Sequence, residues 1–173
     1  MLESTNMTLA THAVVGAGVA SAFGLMPGGA FCAGFASHFL LDRLPHWDYE
    51  LKSATINKVD PLKSTWTINR QATRDFIKIS FDLLLGFSLA LIFFAGNGQG
   101  YWLSILFGAF GGMLPDGLQF LYLKLRREPL TLFFRFHSLM HSSIKIKNTF
   151  WGLFLTALVF SFALILGNWR FFI

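Results

Sequence analysis

Hydrophobic residues are concentrated in five blocks, separated by polar stretches of very different length. The blocks cover about 8–26, 30–44, 74–95, 101–123 and 150–166. Because a helix of about 20 mostly apolar residues crosses a bilayer, this pattern predicts an all-α fold, a polytopic membrane helical bundle of about five hydrophobic helices. There is no internal repeat and no linker that would mark a second domain. Residues 1–173 are therefore predicted to form a single membrane-embedded domain.

The first two blocks are short and rich in Ala and Gly, and Pro27, Gly28 and Gly29 separate them. Small residues allow the backbones of two helices to approach closely. The two blocks are therefore predicted to form a short hairpin. Their length leaves open whether they cross the bilayer fully.

The fourth block contains Pro115, directly followed by Asp116. Proline removes a backbone donor and crowds the preceding turn, so we predict that the fourth helix is broken at Pro115. The segment Asp116-Gly117-Leu118-Gln119 resembles a capping box, which would begin the second half of the helix.

The distribution of charge predicts the topology. The chain is 54% hydrophobic and 13% charged, and its net charge is +5. The polar connections 45–73 and 124–148, with the residues that border them, contain every Lys and Arg except Arg170. Alternation of five helices places both connections on one side, which positive charge marks as cytoplasmic. We predict a multi-pass inner (plasma) membrane protein with a cytoplasmic N-terminus, an outside C-terminus, lipid as its partner and no nucleic acid.

Histidines and aspartates gather on the same predicted side of the bilayer. His38 and Asp42 are four residues apart and share a helix face. Pro45 disfavours helix at the residue before it. His46 and Asp48 are therefore expected in the loop that follows this pair.

A second pair with the same spacing, His137 and His141, lies in the later connection, and His12 lies at the start of the first block. Imidazole and carboxylate are common ligands of Zn²⁺, and ionisable groups near a bilayer are costly unless they are paired or coordinated. We therefore predict a site for a divalent metal, with zinc as the expected ion. Its predicted ligands are His12, His38, Asp42, His46, His137 and His141.

Asp48 and Asp116 are predicted to be catalytic, by orienting a water molecule at the metal. Each has a structural alternative, since Asp48 also suits a turn and Asp116 also suits a helix cap. His12 taken alone is more readily explained by a hydrogen-bonding role in the core or at the membrane interface than by metal binding. The second histidine pair resembles half of the H-E-x-x-H motif, but Ser138 replaces the general-base Glu, which disfavours a zincin protease.

The segment His38-x-x-x-Asp42-x-x-Pro45-His46 resembles the H-x-x-x-D…P-x-H signature of the zinc-dependent phospholipase C and P1 nuclease superfamily. This resemblance implies an all-helical fold with a multi-zinc site that hydrolyses phosphodiesters. It also implies that His12 is an early ligand, and that the 137/141 pair replaces a later H-x-x-x-E pair.

The whole chain also looks like the bacterial inner-membrane metal-dependent hydrolase group, through Thr11-His12, Pro115-Asp116 and the closing histidine pair. The further Asp and His that often follow Pro-Asp in that group are missing here. The complete ligand set of the soluble relatives is not visible either, so one or two ions are expected rather than a three-zinc cluster.

Three functions follow as hypotheses. The first is a metal-dependent hydrolase that acts on a phosphoester or lipid-like substrate at the cytoplasmic membrane face. The second is a non-enzymatic membrane protein with a structural metal or a hydrogen-bonded His/Asp cluster. The third is a transporter with a path lined by Asp82 and Asp116. Residues 83–95 and 101–110 carry no charge, which argues against transport, and Asp82 is better explained by a charge ladder with Asp75 and Lys78.

Overall fold

The structure is a computed structural model. It describes residues 8–44, 51–55, 57, 60–96, 101–142 and 148–169 of the chain. Within this part of the chain there are six α-helices: α1 (Leu9–Phe23), α2 (Pro27–Asp42), α3 (Arg70–Phe94), α4 (Trp102–Leu125), α5 (Leu130–Met140) and α6 (Thr149–Asn168). The prediction of an all-α fold is confirmed.

The connection between α2 and α3 contains a short antiparallel strand pair, β1 (Ala54–Thr55) and β2 (Thr65–Trp66), and a 3-10 turn at Pro61–Lys63. The connection between α4 and α6 contains α5, a helix that the hydrophobic blocks did not predict. Its apolar residues are interrupted by Arg135 and His137, so it is not a continuous apolar block.

The predicted hairpin of α1 and α2 is confirmed, and glycine and proline chemistry explains it. Gly24 adopts the left-handed conformation with φ 57°, where glycine has no steric penalty. Its N–H and that of Leu25 donate to carbonyls in the last turn of α1, which satisfies that end of the helix. Pro27 then occupies the first position of α2, where its missing N–H has no cost.

The centre of the bundle is formed by α4 packed against the α1–α2 hairpin. Glycines make this close approach possible. A Cβ added to Gly34 would overlap the Gly108 carbonyl, and one added to Gly112 would overlap the His12 carbonyl. Packing of this kind, with almost no side chain between the backbones, is typical of helix contacts in membranes.

Both long connections lie at one end of the bundle. α3 and α6 pack against α1, and Asp82 of α3 lies beside the start of α1 while Phe94 lies against Gly18. α2 and α4 run in the same direction as each other, because Phe31 contacts Phe110 and His38 lies near Asp116. The helices α1, α3 and α6 therefore start at the end where α2 and α4 finish.

Asp82 connects α3 to the start of α1. Its carboxylate accepts hydrogen bonds from the backbone N–H of Leu9 at 2.6 Å and of Ala10 at 3.4 Å. A carboxylate at this position also interacts favourably with the positive end of the helix dipole. Lys78 pairs with Asp75 at 3.8 Å, in agreement with the predicted ladder, and the extension of that ladder to Asp82 stays a prediction.

Of the described helices, two are long and apolar enough to cross a membrane, at Arg70–Phe94 and Phe150–Asn168. The expectation of about five such helices is therefore not met. α1 and α2 have 15 and 16 residues, which is short for a bilayer, and Pro115, Asp116 and Gln119 reduce the hydropathy of α4. Two helices of this kind indicate membrane association only weakly. Both helices also expose large apolar side chains, such as Phe81, Ile92 and Ile165.

The predicted break at Pro115 is also wrong, because α4 continues through it from Trp102 to Leu125. Pro115 is fully buried, and the Gly112 carbonyl in the preceding turn accepts a hydrogen bond from His38 Nδ1 at 2.8 Å. Neighbouring helices commonly satisfy carbonyls near a buried proline in this way. Asp116 consequently lies inside the helix, and its interpretation as a helix cap is wrong.

The glycine contact between α2 and α4 can be tested with Gly34→Ala. The added methyl group would overlap the backbone of α4, so we expect overpacking to lower the free energy of unfolding by about 1–3 kcal/mol. Thermal unfolding of the detergent-purified protein, followed by circular dichroism, measures the change. Gly28→Ala is the matched control, because a Cβ there meets nothing within 4 Å. An unchanged midpoint for Gly34→Ala would show that the helices can separate at no cost.

Candidate metal centre

The last turn of α2 supplies the centre of the site. His38 and Asp42 are four residues apart, and both are buried against α1, α4 and α5. His38 Nδ1 donates to the Gly112 carbonyl of α4, which fixes the ring and directs its other nitrogen inward. The result is a contact of 3.0 Å between His38 Nε2 and Asp42 Oδ2.

The helix α5 brings in the second histidine pair. His137 lies on its buried face and His141 is its C-terminal capping residue. The Nε2 atoms of His137 and His141 lie 2.9 Å and 3.2 Å from Asp42 Oδ2. The end of α5 is held there by a backbone bond of 2.8 Å from the Ser142 N–H to the Asp42 carbonyl.

One carboxylate oxygen is therefore surrounded by three imidazole nitrogens. The Nε2 atoms of His38 and His137 are also only 3.0 Å from each other. Because His38 Nδ1 already carries the proton that it donates to Gly112, the neutral ring has a lone pair at Nε2. Its contact with Asp42 Oδ2 then brings two acceptors together, which is favourable only with a positive charge among them. That charge is either an additional proton or a metal cation.

The spacing of these atoms suits a bound ion. A tetrahedral ion with ligand distances of about 2.0–2.1 Å holds its ligand atoms roughly 3.3–3.4 Å from each other. The contacts around Asp42 Oδ2, at 2.9, 3.0 and 3.2 Å, are only slightly shorter. Three overlapping groups of His and Asp have ligand atoms that all lie within 4.8 Å of one another. Buried His and Asp side chains of this protein can therefore hold a metal ion after a small outward movement.

Two further residues border the cluster. His12 packs its ring on that of His38, with centroids 4.1 Å apart, and its Nε2 lies 3.4 Å from the other oxygen of Asp42. Asp116 Oδ1 lies 3.8 Å from the Nε2 atoms of both His38 and His137. Neither oxygen of this buried carboxylate accepts a hydrogen bond from the residues that the structure describes. A buried carboxylate without such bonds is costly unless a cation or water lies beside it.

The structure thus brings together six of the eight predicted site residues: His12, His38, Asp42, Asp116, His137 and His141. The other two, His46 and Asp48, lie outside the described residues. The contact of 3.4 Å between His12 Nε2 and Asp42 Oδ1 is compatible with both predicted roles of His12, a metal ligand and a hydrogen-bonding residue of the core.

The sequence analysis missed one contributor, the backbone carbonyl of Gly112. It accepts a hydrogen bond from Nδ1 of His38 and thereby orients the ring. Metal-binding histidines are commonly oriented in this way, by a carbonyl that does not itself contact the metal. A backbone carbonyl has no residue-type signature. The pair Gly111-Gly112, three residues before Pro115, is the available signal, since a glycine allows a second helix to approach the carbonyl.

The fold and the cluster define a class: an all-helical protein with two helices of membrane-spanning length and a buried His/Asp group able to hold a metal. No protein-family model, no curated protein and no solved structure matches the chain. Any narrower assignment consequently depends on the geometry of the cluster.

We predict that the detergent-purified protein binds a divalent metal and that His137→Ala lowers the affinity. Removal of one ligand should lower the metal affinity at least about tenfold, because loss of a residue that only hydrogen-bonds to a ligand commonly has an effect of that size. Elemental analysis after dialysis, together with metal titration, measures both. Ser138→Ala is the matched control, since Ser138 is on the same helix and, among the described residues, its hydroxyl donates to the Phe134 carbonyl in the preceding turn. Wild-type protein without metal, or equal affinity in His137→Ala, would contradict the assignment.

Proposed function

We propose that the protein is a membrane-bound, metal-dependent hydrolase that acts on a phosphoester or lipid-like substrate at the cytoplasmic membrane face. The observation that supports this most directly is the convergence of three imidazole nitrogens on Asp42 Oδ2 within 3.2 Å. The charges beside it, above all the buried Asp116, support a reactive rather than a purely structural site.

Each residue has a role in this proposal. His38, His137 and Asp42 would hold the ion, with zinc as the expected metal, and His141 would either be a fourth ligand or leave that position to water. When bound, the ion would polarise the scissile group and make a water molecule nucleophilic near neutral pH. His12 would hold the second oxygen of Asp42, and Asp116 would accept a proton from that water molecule. Asp48 stays a prediction, because it lies outside the described residues.

The proposed location follows from charge and helix length. All ten basic residues that the structure describes lie on the connections or on the helix turns next to them, at the end of the bundle that contains the cluster. Positive charge on one side of a membrane protein marks the cytoplasmic side. We therefore propose a multi-pass topology with the N-terminus in the cytoplasm and the C-terminus outside. The cluster then lies at the depth of the lipid headgroups.

A second candidate function is a structural metal or hydrogen-bonded cluster that holds α5 against α2. The observation in its favour is the number of side chains that could coordinate one ion. Three imidazoles and one carboxylate would fill a tetrahedral ion completely, as in structural zinc sites. The carboxylate of Asp116, which accepts no hydrogen bond from the described residues, favours the hydrolase, because a closed four-ligand site would give this carboxylate no role.

Asp116→Asn separates these two functions. If Asp116 accepts a proton during the reaction, the substitution should leave metal binding intact and lower kcat by about 10²- to 10⁴-fold. Zinc-loaded protein in mixed micelles, assayed with a chromogenic phosphodiester and with a phospholipid, measures the rate. Ser138→Ala should retain the wild-type rate. Metal-loaded wild-type protein without hydrolysis of either substrate would favour the structural role, and full activity of Asp116→Asn would remove Asp116 from the mechanism.

A further inference from the structure

The helix α5 exposes large apolar side chains on the face opposite to the cluster. Leu132, Phe136 and Leu139 are spaced four and three residues apart, so they form one stripe along the helix. Their exposed fractions are 68%, 42% and 79%. On the opposite face Phe134 and His137 are completely buried. Both faces of this short helix are therefore apolar, although only one of them is covered by the described residues.

The stripe lies between two guanidinium groups. Arg135 is exposed along one edge. On the other edge, Arg43 from the end of α2 reaches Met140, with 3.4 Å between its Nη2 and the Met140 sulfur. Neither arginine forms an ion pair with a carboxylate of the described residues. An apolar stripe edged by arginines is typical of helices that lie in the plane of a membrane interface, next to anionic headgroups.

The helix lies beside the second halves of α2 and α4 and does not extend the bundle beyond their ends. From Phe133 to His141, its contacts on α2 advance from Phe35 to Asp42. From Phe134 to His137, its contacts on α4 go backwards, from Tyr122 to Asp116. Its 11 residues measure about 16 Å, far less than the roughly 30 Å of a bilayer core.

The end of α2 also exposes apolar side chains. Leu40 and Leu44 are exposed, and Arg43 of the same segment reaches α5 at Met140. Exposed apolar side chains grouped in this way mark a binding face for a partner. The arginines at its edges make an anionic lipid leaflet the complementary partner.

We propose that α5 lies in the membrane interface, with Leu132, Phe136 and Leu139 inserted into an anionic leaflet and with Arg43 and Arg135 on the headgroups. The same helix presents His137 to the cluster from its other face. The helix α5 would therefore contribute both to lipid contact and to assembly of the cluster. This inference concerns the position of α5 and stands independently of hydrolysis. In combination with the proposed function it identifies a lipid of that leaflet, instead of a soluble phosphoester, as the substrate source.

Site-directed fluorescence tests this position. Cys32 is the single cysteine of the chain, so Cys32→Ser provides the background. Single cysteines at Leu132 and Leu139 are labelled with an environment-sensitive dye, and the protein is reconstituted into vesicles of phosphatidylcholine with phosphatidylglycerol. Lys63→Cys is the control for a position in water, because the Lys63 side chain, in the connection between α2 and α3, is 75% exposed. Ile92→Cys, on the exposed face of α3, is the control for lipid.

The expected result is blue-shifted emission at positions 132 and 139, with quenching by lipid-borne nitroxides and protection from iodide, as at position 92. Behaviour like that of position 63 would overturn the proposal. Disulfide-linked dimers of the Leu139→Cys protein at high yield would also overturn it, because a second copy would then cover the stripe.

A substitution tests the arginines by a separate measurement. Arg135→Gln with Arg43→Gln should weaken quenching at position 139 by headgroup nitroxides and reduce its dependence on phosphatidylglycerol. Equal quenching in vesicles with and without the anionic lipid, for wild-type and variant alike, would contradict the role of the headgroup charge. Neither measurement requires catalytic activity. A negative result for the position of α5 can therefore be distinguished from a negative result for the proposed hydrolysis.

Discussion

The contact on which the site depends is that between the Asp42 carboxylate and the imidazoles around it. Asp42 is buried at the end of α2, where an isolated carboxylate would be strongly disfavoured. Three Nε2 atoms lie within 3.2 Å of one of its oxygens, and His12 faces the other. The excess of acceptors over protons in this arrangement requires a positive charge, either an additional proton or a metal cation, and this requirement is the physical basis of the proposed metal centre.

Close packing of backbones allows these groups to meet. Residues from α1, α2, α4 and α5 reach one point because glycines remove the side chains that would otherwise separate the first, second and fourth helices. The same contact brings the Gly112 carbonyl to His38 and fixes its ring. Packing and chemistry are thus linked, since a bulkier residue in the glycine contact would move the histidine as well as the helix.

The two long connections differ in what they contribute. The earlier one holds its strand pair against α3, where Asp75 accepts from the backbone and hydroxyl of Ser53, and Arg126 binds the carbonyls of Leu62 and Ser64. These contacts are structural. The later connection contains α5, which carries His137 inward and an apolar stripe outward. The proposed metal centre and the proposed membrane contact therefore meet on α5, the shortest α-helix of the described residues.

Much of the fold and of the candidate site could be predicted from the amino-acid sequence. Apolar blocks of helical length predicted the all-α fold, and Pro27 with its neighbouring glycines predicted the hairpin. The four-residue spacing of His38 with Asp42 and of His137 with His141 predicted two pairs with ligand chemistry. These features are local, and helical periodicity or proline stereochemistry determines them without reference to the rest of the chain.

Other features depended on neighbours that the sequence does not reveal. The number of helices long and apolar enough to cross a membrane was overestimated. The predicted break at Pro115 was wrong, because α4 continues through this proline, which is buried among the neighbouring helices. Asp82 also accepts hydrogen bonds from the start of α1, a contact between two helices that the sequence does not reveal. The convergence of Asp116 with the two pairs was decided only by tertiary packing, because its distance from His38 depends on how closely two glycine-lined helices approach.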